Sequence, residues 1–304
     1  MLRFRKGLGI AFAVLCLLIP TVAQTPVLWE SVNISDRDLY HGPGGEEMAP
    51  DLSRVTFIKK VKGGTQKKYQ IRDGSGRIWV AKLGSEARPE TAAVRLLYGL
   101  GYKTEINYLA PTITIPGKGT FRNVRLEARP ENVKRAGVWK WKSNPFVGKP
   151  ELQGLKIMQA FITNWDATDK QNEILRVNGE HHYIISDLGS SFGKYGNNNL
   201  PIFYRLGRRT GAPGPYSRAR FIKSTKDGRI NFAVKGRSRA MFKDVSMRDA
   251  QWLVSRLRKL SDRQIEDAFR AANYSPAEVE SYRKSVKRRI AELENLTGDR
   301  LAAR

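Results

Sequence analysis

Cysteine is nearly absent from this chain: Cys16 is the only one in 304 residues. A disulfide scaffold and a cysteine-based zinc or iron–sulfur centre are thereby excluded. Histidine is almost as scarce, represented by His41, His181 and His182, too few for a histidine-rich metal site. His181 and His182 are neighbours on a strand-like run, so they point to opposite faces and make a poor ligand pair. Acidic residues are outnumbered, 29 Asp and Glu against 54 Lys and Arg, for a formal net charge of +25. That balance disfavours cationic partners and favours anionic ones: nucleic acid, nucleotide, phospholipid or polyanionic glycan. What is present is a 40% apolar content with 10% aromatics, enough to bury a real core. The length suits one domain of two lobes or two small domains.

The N-terminus reads as an address. Arg3, Arg5 and Lys6 precede an apolar run from Leu8 to Ile19, and Thr21-Val22-Ala23 ends on a small residue. This is the order of a secretory signal peptide, and the run is shorter than the roughly 20 residues of a comfortable membrane span. We assign residues 1–23 to the signal and expect a secreted or periplasmic protein, with no stable membrane span in its mature form. Cleavage after Ala23 would remove Cys16, leaving a thiol-free chain that suits an oxidising compartment.

Residues 24–53 are polar and turn-rich and read as an extended lead-in. Strand-like runs follow at Val55–Ile58, Val61–Thr65, Lys68–Arg72 and, after the turn signal Asp73-Gly74-Ser75-Gly76, at Arg77–Leu83. Pro89 and Glu90 then open a helix carrying Ala93, Leu96, Leu97 and Leu100 at helical spacing. Two more strand runs lie near Leu109–Ile115 and Val124–Glu127. Leu152, Leu155, Met158, Phe161 and Ile162 form one helical stripe, and short strands at 173–177 and 182–186 flank the turn Asn178-Gly179-Glu180. The stretch 193–240 reads as loop-heavy. C-terminal helices carry two capping boxes, Ser261-x-x-Gln264 and Ser275-Pro276-x-Glu278. The fold class expected is α+β, with a sheet-rich first half containing one key helix and a mostly helical second half.

Four features in chain order carry chemistry: Lys82 on a strand, Glu90 opening the next helix, Asn164-Trp165-Asp166 followed by Asn172, and Asp187-Leu188-Gly189 after a strand. Phosphoryl transfer from ATP needs these residue types: a fixed cation for the phosphates, a carboxylate to hold it, and a carboxylate at the acceptor hydroxyl. It also needs Asn and Asp oxygens for Mg²⁺. Singly, each has a bland explanation: an edge lysine, a first-turn glutamate, ordinary turn residues. Their order and spacing are what give them weight.

This set resembles the protein-kinase-like superfamily in an atypical branch, in particular phosphatidylinositol 4-kinases, bacterial toxin-type kinases and secretory-pathway kinases. The run from Trp139 to Gly193 is also similar to a group of uncharacterised secreted bacterial proteins. The resemblance covers residues 50–296 and implies a bilobal fold, with an antiparallel sheet N-lobe at 54–135 and a mostly α-helical C-lobe at 136–304. Carried onto this sequence, it implies that Lys82 contacts phosphate and Glu90 pairs with it. Asp166 becomes the base or hydroxyl-orienting group, and Asn172 and Asp187 become ligands of Mg²⁺ or Mn²⁺. Five residues separate Asp166 from Asn172 where the usual kinase loop has four, so Asp169 or Gln171 could share the metal or substrate role. A G-x-G-x-x-G loop is missing, leaving Gly63, Gly64 and Thr65 as candidate phosphate donors.

The implied function is an exported, metal-dependent phosphotransferase using ATP or a related nucleotide, with nucleotidyl transfer as a variant. The acceptor would be a protein, a glycan or a lipid headgroup. The alternative is a pseudokinase-like envelope protein that binds a polyanion. Nucleic acid is not the expected partner, because charge alone suggests it and explains none of the motifs. Trp139-Lys140-Trp141-Lys142 could stack bases or glycans, or pack a lobe-joining loop onto the core. Arg205, Arg208, Arg209, Arg218, Arg220, Lys223 and Lys226 form a basic segment able to attract an anionic acceptor.

Overall fold

The computed structural model describes residues 24–63, 66–196, 207–235 and 237–298. The proposed signal peptide, Gly64, Thr65 and Arg205 lie outside the described residues. Among those described, no helix is long and apolar enough to cross a membrane.

The first half builds a five-stranded antiparallel sheet from β2 (Thr56–Val61), β3 (Lys68–Arg72), β4 (Ile78–Lys82), β5 (Asn107–Ile115) and β6 (Gly119–Ala128). Its spatial order is β2-β3-β4-β6-β5. A central strand is covered on both faces and loses simple alternation, and β4 obeys: Trp79, Val80, Ala81 and Lys82 are all buried. Asp73 pins the β3–β4 turn, accepting from the buried Trp79 indole at 2.9 Å, the Arg77 amide at 2.9 Å and the Ser75 hydroxyl at 2.8 Å. Helix α1 (Ala87–Gly99) packs against β5 and β6. Its small and branched residues Ala92, Ala93, Val94, Leu96 and Leu97 are buried around most of its circumference.

The expected lead-in is not merely extended. Leu28, Ile34 and Leu39, spaced through an otherwise polar segment, are fully buried in the core of the helical half. A short strand, β1 (Thr25–Val27), runs parallel to β9 (Glu180–Ile185). The Trp29 indole donates to the Leu100 carbonyl at 2.7 Å, and the Gln264 amide donates to the carbonyls of Ile34 at 2.6 Å and Arg37 at 3.0 Å. Apolar burial thus turns the segment into a strap joining the two halves.

The second sheet, β1-β9-β8-β7, contains β7 (Val133–Gly137) and β8 (Asn172–Val177). Strand β7 straddles the lobe boundary expected at 135/136 and pairs with β8. The helical half contains α2 (Pro150–Phe161), α3 (Pro213–Arg218), α4 (Met247–Leu257), α5 (Asp262–Arg270) and α6 (Pro276–Gly298), with a hairpin of β10 (Ile222–Lys226) and β11 (Arg229–Phe232). Both expected capping boxes form, and Ser246 with Asp249 makes a third at α4.

Arg289 of α6 is 1% exposed and forms no ion pair among the described residues. Its guanidinium donates to the carbonyls of Phe161, Tyr216 at 3.3 Å and Ala219 at 3.0 Å, and to the Thr163 hydroxyl at 2.9 Å. A cation at a helix C-terminus satisfies carbonyls that the helix itself leaves open. Here it fixes the end of α2, immediately before Asn164. Arg289→Met should therefore destabilise the chain by about 3 kcal/mol, since hydrogen bonds to charged groups contribute roughly 1.5–3 kcal/mol and several buried acceptors lose their donor. Chemical denaturation measures this, and a loss below about 1 kcal/mol would contradict it.

Candidate active site

Lys82 ends β4 with a side chain 5% exposed. Its ammonium lies 3.0 Å from Glu90 Oε2, 3.1 Å from Glu86 Oε2 and 3.2 Å from Asp187 Oδ1. Burial alone would drive the lysine toward neutrality, but the carboxylates, Glu90 foremost, outweigh it and hold its pKa above the ordinary value. Glu90, on the first turn of α1, is 1% exposed and sits between two cations, with Arg125 of β6 at 3.4 Å from Oε1. Lys82 and Arg125 are direct cross-strand partners. Two like charges in that position repel, and the glutamate placed between them makes the pairing tolerable.

The Asn164-Trp165-Asp166 loop follows α2 directly. The Asn164 amide group donates to Gln159 at 2.9 Å, and its Oδ1 accepts the Asp166 amide at 3.0 Å. Thr163, with φ 58, and Phe192, with φ 55, both adopt left-handed backbone, an uncommon state for a β-branched or bulky residue. The loop is docked to the segment after Asp187 by two backbone bonds, Phe192 N–H to Ile162 carbonyl at 2.7 Å and Trp165 N–H to Ser190 carbonyl at 3.2 Å. The Phe192 ring is buried among Tyr216, Phe269 and Tyr282. Asp166 accepts from Gln171 Nε2 at 2.8 Å. Burial raises its pKa, aided by Asp187 and Glu86 and opposed by Gln171 and Arg208.

Asp187 accepts both Lys82 and the Gly189 amide, at 3.2 Å each, on Oδ1, with a side chain 37% exposed. A Cβ on Gly189 would lie 2.6 Å from Glu86 Cβ, so the close approach of the α1 entrance requires glycine there. Leu188 is fully buried. Asn172, at the start of β8, is fully buried; its amide donates to the Trp139 carbonyl at 3.2 Å, while its Oδ1 has no hydrogen-bond partner. A buried, orphaned amide oxygen is costly unless something else satisfies it.

Lys82, Glu90 and Asp187 thus meet directly. The Asp166 loop lies bonded beside the Asp187 segment, and Gln171 links Asp166 to Asn172 along the chain. The extra residue between Asp166 and Asn172 is taken up by a 3₁₀ turn at Asp169–Gln171. Asp169 caps the Trp141 amide at 3.0 Å, and Gln171 serves Asp166; both are placed as supports. Gly63 has φ +94 and open space around it. The Trp139–Trp141 segment is not a stacking platform: both rings are buried, 3% and 4% exposed, 4.9 Å apart edge to face. Trp139 donates to the Ile184 carbonyl at 2.9 Å, so the lobe-joining alternative is realised. In the basic segment, the Arg208 guanidinium lies 3.8 Å from the centre of the Trp165 ring, whereas Arg220 donates to carbonyls of its own hairpin.

Sequence reasoning missed Glu86 and Arg125. The spacing Lys82-x-x-x-Glu86 was visible, but its meaning depends on the turn between β4 and α1. Arg125 and Glu127, opposite charges two apart in an apolar strand, were the signal of a buried ion network.

No family model matches the chain, and no curated protein matches it. Solved structures do. The Helicobacter pylori proinflammatory kinase CtkA is 10% identical with a TM-score of 0.49, over 81% of this chain and 94% of that one. The Golgi casein kinase is 10% identical with a TM-score of 0.44, over 82% and 73%. The Golgi casein kinase with Mn/ADP bound is 12% identical with a TM-score of 0.39, over 82% and 73%. The fold itself is α+β, an antiparallel sheet in the first half and a mostly helical second half. Likeness at this level carries nothing about activity, which has to come from the side chains.

Lys82→Met would leave Glu86, Glu90 and Asp187 crowded without their shared cation. The expected loss is about 3–5 kcal/mol, the range for breaking a buried ion pair from one side. Asp187→Ala removes a partly exposed partner and should cost under about 1 kcal/mol. Equal losses in denaturant melts would contradict this division.

Proposed function

We propose that the chain is a metal-dependent phosphotransferase that moves the terminal phosphoryl group of ATP or a related nucleotide to a hydroxyl-bearing acceptor. The observation that carries this proposal is Lys82, a buried cation shared by Glu90 of α1 and Asp187 at the end of the second sheet. A lysine so held presents a fixed positive charge to phosphate oxygens without having to be ordered during the reaction.

Asn172 and Asp187 offer the oxygen donor types that a divalent cation takes. Asn172 Oδ1 is buried without a partner, and Asp187 is a partly exposed carboxylate. Mg²⁺ typically takes one or two protein carboxylates and completes its shell with phosphate and water oxygens. Asn172 and Asp187 would hold Mg²⁺ or Mn²⁺, whose contribution when bound is to offset charge on the phosphate oxygens. Glu86 and Glu90 keep Lys82 in place. Asp166, fixed by Asn164 and Gln171, would orient the acceptor hydroxyl and accept its proton. The acceptor would be a protein side chain, a glycan or a lipid headgroup. Export by the N-terminal signal completes the proposal.

Thermal unfolding with ATP and Mg²⁺ or Mn²⁺ tests the site. A ligand that binds only the folded state adds about 2.7 kcal/mol at a hundredfold excess over Kd. The shift should depend on the metal and vanish in Asp187→Ala. A metal-independent shift retained by that variant would remove Asp187 from the metal.

Asp166 must be deprotonated to accept a proton, so activity should rise with pH through its pKa. Burial places that acid limb above the roughly 3.9 of an ordinary aspartate. Gln171→Leu deletes a hydrogen bond to the charged form and should move the limb to still higher pH. A pH profile of kcat/KM for phosphate transfer reports both, and an unmoved limb in Gln171→Leu would exclude Asp166 as the titrating base.

A further inference from the structure

A cavity of about 650 Å³ lies away from Lys82, between the N-terminal strap, the α1–β5 turn and the second sheet. Its apolar lining includes Pro43, Tyr98, Ile106, Val133, Leu175 and Val177, contributed by both lobes. Arg37 lies over the Tyr98 ring at 4.3 Å, giving one wall an aromatic shelf edged by a cation. A space of this size with an apolar floor and charged groups converging on its rim is what small-molecule sites look like.

The charges around it do not cancel. On one wall the guanidiniums of Arg125, Arg129 and Arg135 are interleaved with the carboxylates of Glu105, Glu127 and Glu173. Arg125 and its carboxylate partners Glu105 and Glu127 are buried, whereas the side chains of Arg129 and Arg135 are 33% and 43% exposed. On the opposite rim one carboxylate, Glu30, serves both Arg37 at 3.2 Å and Lys103 at 2.7 Å. Lys134, also on the rim, is exposed and has no ion pair among the described residues. The three guanidiniums and three carboxylates of that wall are thus paired with one another, and the mouth keeps an excess of positive charge. Thr104, on the lining, adds a hydroxyl with no hydrogen-bond partner.

We propose that this cavity is a binding site for a small amphiphilic anion: an aromatic or acyl body seated between Tyr98, Ile106, Val133 and Val177, with a carboxylate, sulfonate or phosphate held at Lys134 and the neighbouring rim cations. The occupant needs both halves. An uncharged body leaves the excess cations unanswered, and a bare inorganic anion leaves the apolar floor wet. The site stands apart from the phosphotransfer proposal and holds whether or not that is right.

The test uses two fluorescent probes of the same shape, 8-anilinonaphthalene-1-sulfonate and the uncharged N-phenyl-1-naphthylamine, titrated into the purified chain with decanoate as the acyl competitor. The expected result is one saturable sulfonate site per chain, displaced by decanoate, with the uncharged probe at least tenfold weaker. Val177→Trp, which fills the cavity, should weaken the sulfonate at least tenfold; Val133→Trp repeats the test should the first variant fail to melt cooperatively. Lys134→Glu, at an exposed position, should weaken the sulfonate severalfold and leave the uncharged probe unchanged. Absence of a saturable site, equal affinity for both probes, or unchanged sulfonate binding in a cooperatively folded tryptophan variant would each overturn the proposal.

Discussion

A single buried ammonium holds the two lobes in register. Lys82 comes from the central strand of the first sheet, Glu86 and Glu90 from the entrance and first turn of α1, and Asp187 from the loop leaving the second sheet. Neither Lys82 nor Glu90 would tolerate its burial alone, because an ion taken out of water without a partner costs several kcal/mol. The strand, the helix and the Asp187 loop are therefore linked through one cation. The arrangement extends one step further through Arg125, which faces Lys82 across the sheet and shares Glu90 with it. Removing Lys82 leaves buried carboxylates uncompensated, whereas the partly exposed Asp187 is the one member that can be lost cheaply.

The helical lobe solves a different problem, that of presenting Asp166 on a short, strained loop. Left-handed Thr163 and Phe192 flank the two functional segments, and strain of that kind persists only where the surroundings over-determine it. Arg289 supplies this on one side by tying the Phe161 carbonyl at the end of α2 to the Tyr216 and Ala219 carbonyls at the end of α3. On the other side, Phe192 is enclosed by aromatic rings of α3, α5 and α6. The positions of Asp166 and Asp187 thus rest on a cation and an aromatic cluster distant from both in sequence.

Much of the site was legible because its chemistry is local in sequence: a lysine ending a strand, a glutamate opening a helix, an aspartate before a glycine. Periodicity and capping boxes marked the helices for the same reason. What escaped was non-local. Glu86 acquires meaning only when the β4–α1 turn brings it back over Lys82, and Arg289 only when α6 crosses the end of α2. The strap at residues 24–53 looked like a lead-in because its three buried aliphatics are too widely spaced to show a period. The paired tryptophans at Trp139 and Trp141 suggested a stacking surface, but each found a buried position beside the second sheet. Asp169 and Gln171 seemed spare ligands, and the extra loop residue instead makes a 3₁₀ turn that puts them to structural use.

The central claim is that the charges around Lys82 and Asp166 serve phosphoryl transfer. Phosphorus NMR of ATP incubated with Mg²⁺ and the chain, in parallel with Asp166→Asn and Asp187→Ala, tests it most directly. The account predicts slow loss of the γ-phosphate signal, with formation of ADP and of a phosphorylated product or free phosphate, in the natural chain and in neither variant. Release of pyrophosphate would redirect the chemistry to nucleotidyl transfer. An unchanged spectrum under conditions where ATP and metal demonstrably bind would contradict catalysis and leave the fold as a nucleotide-binding scaffold.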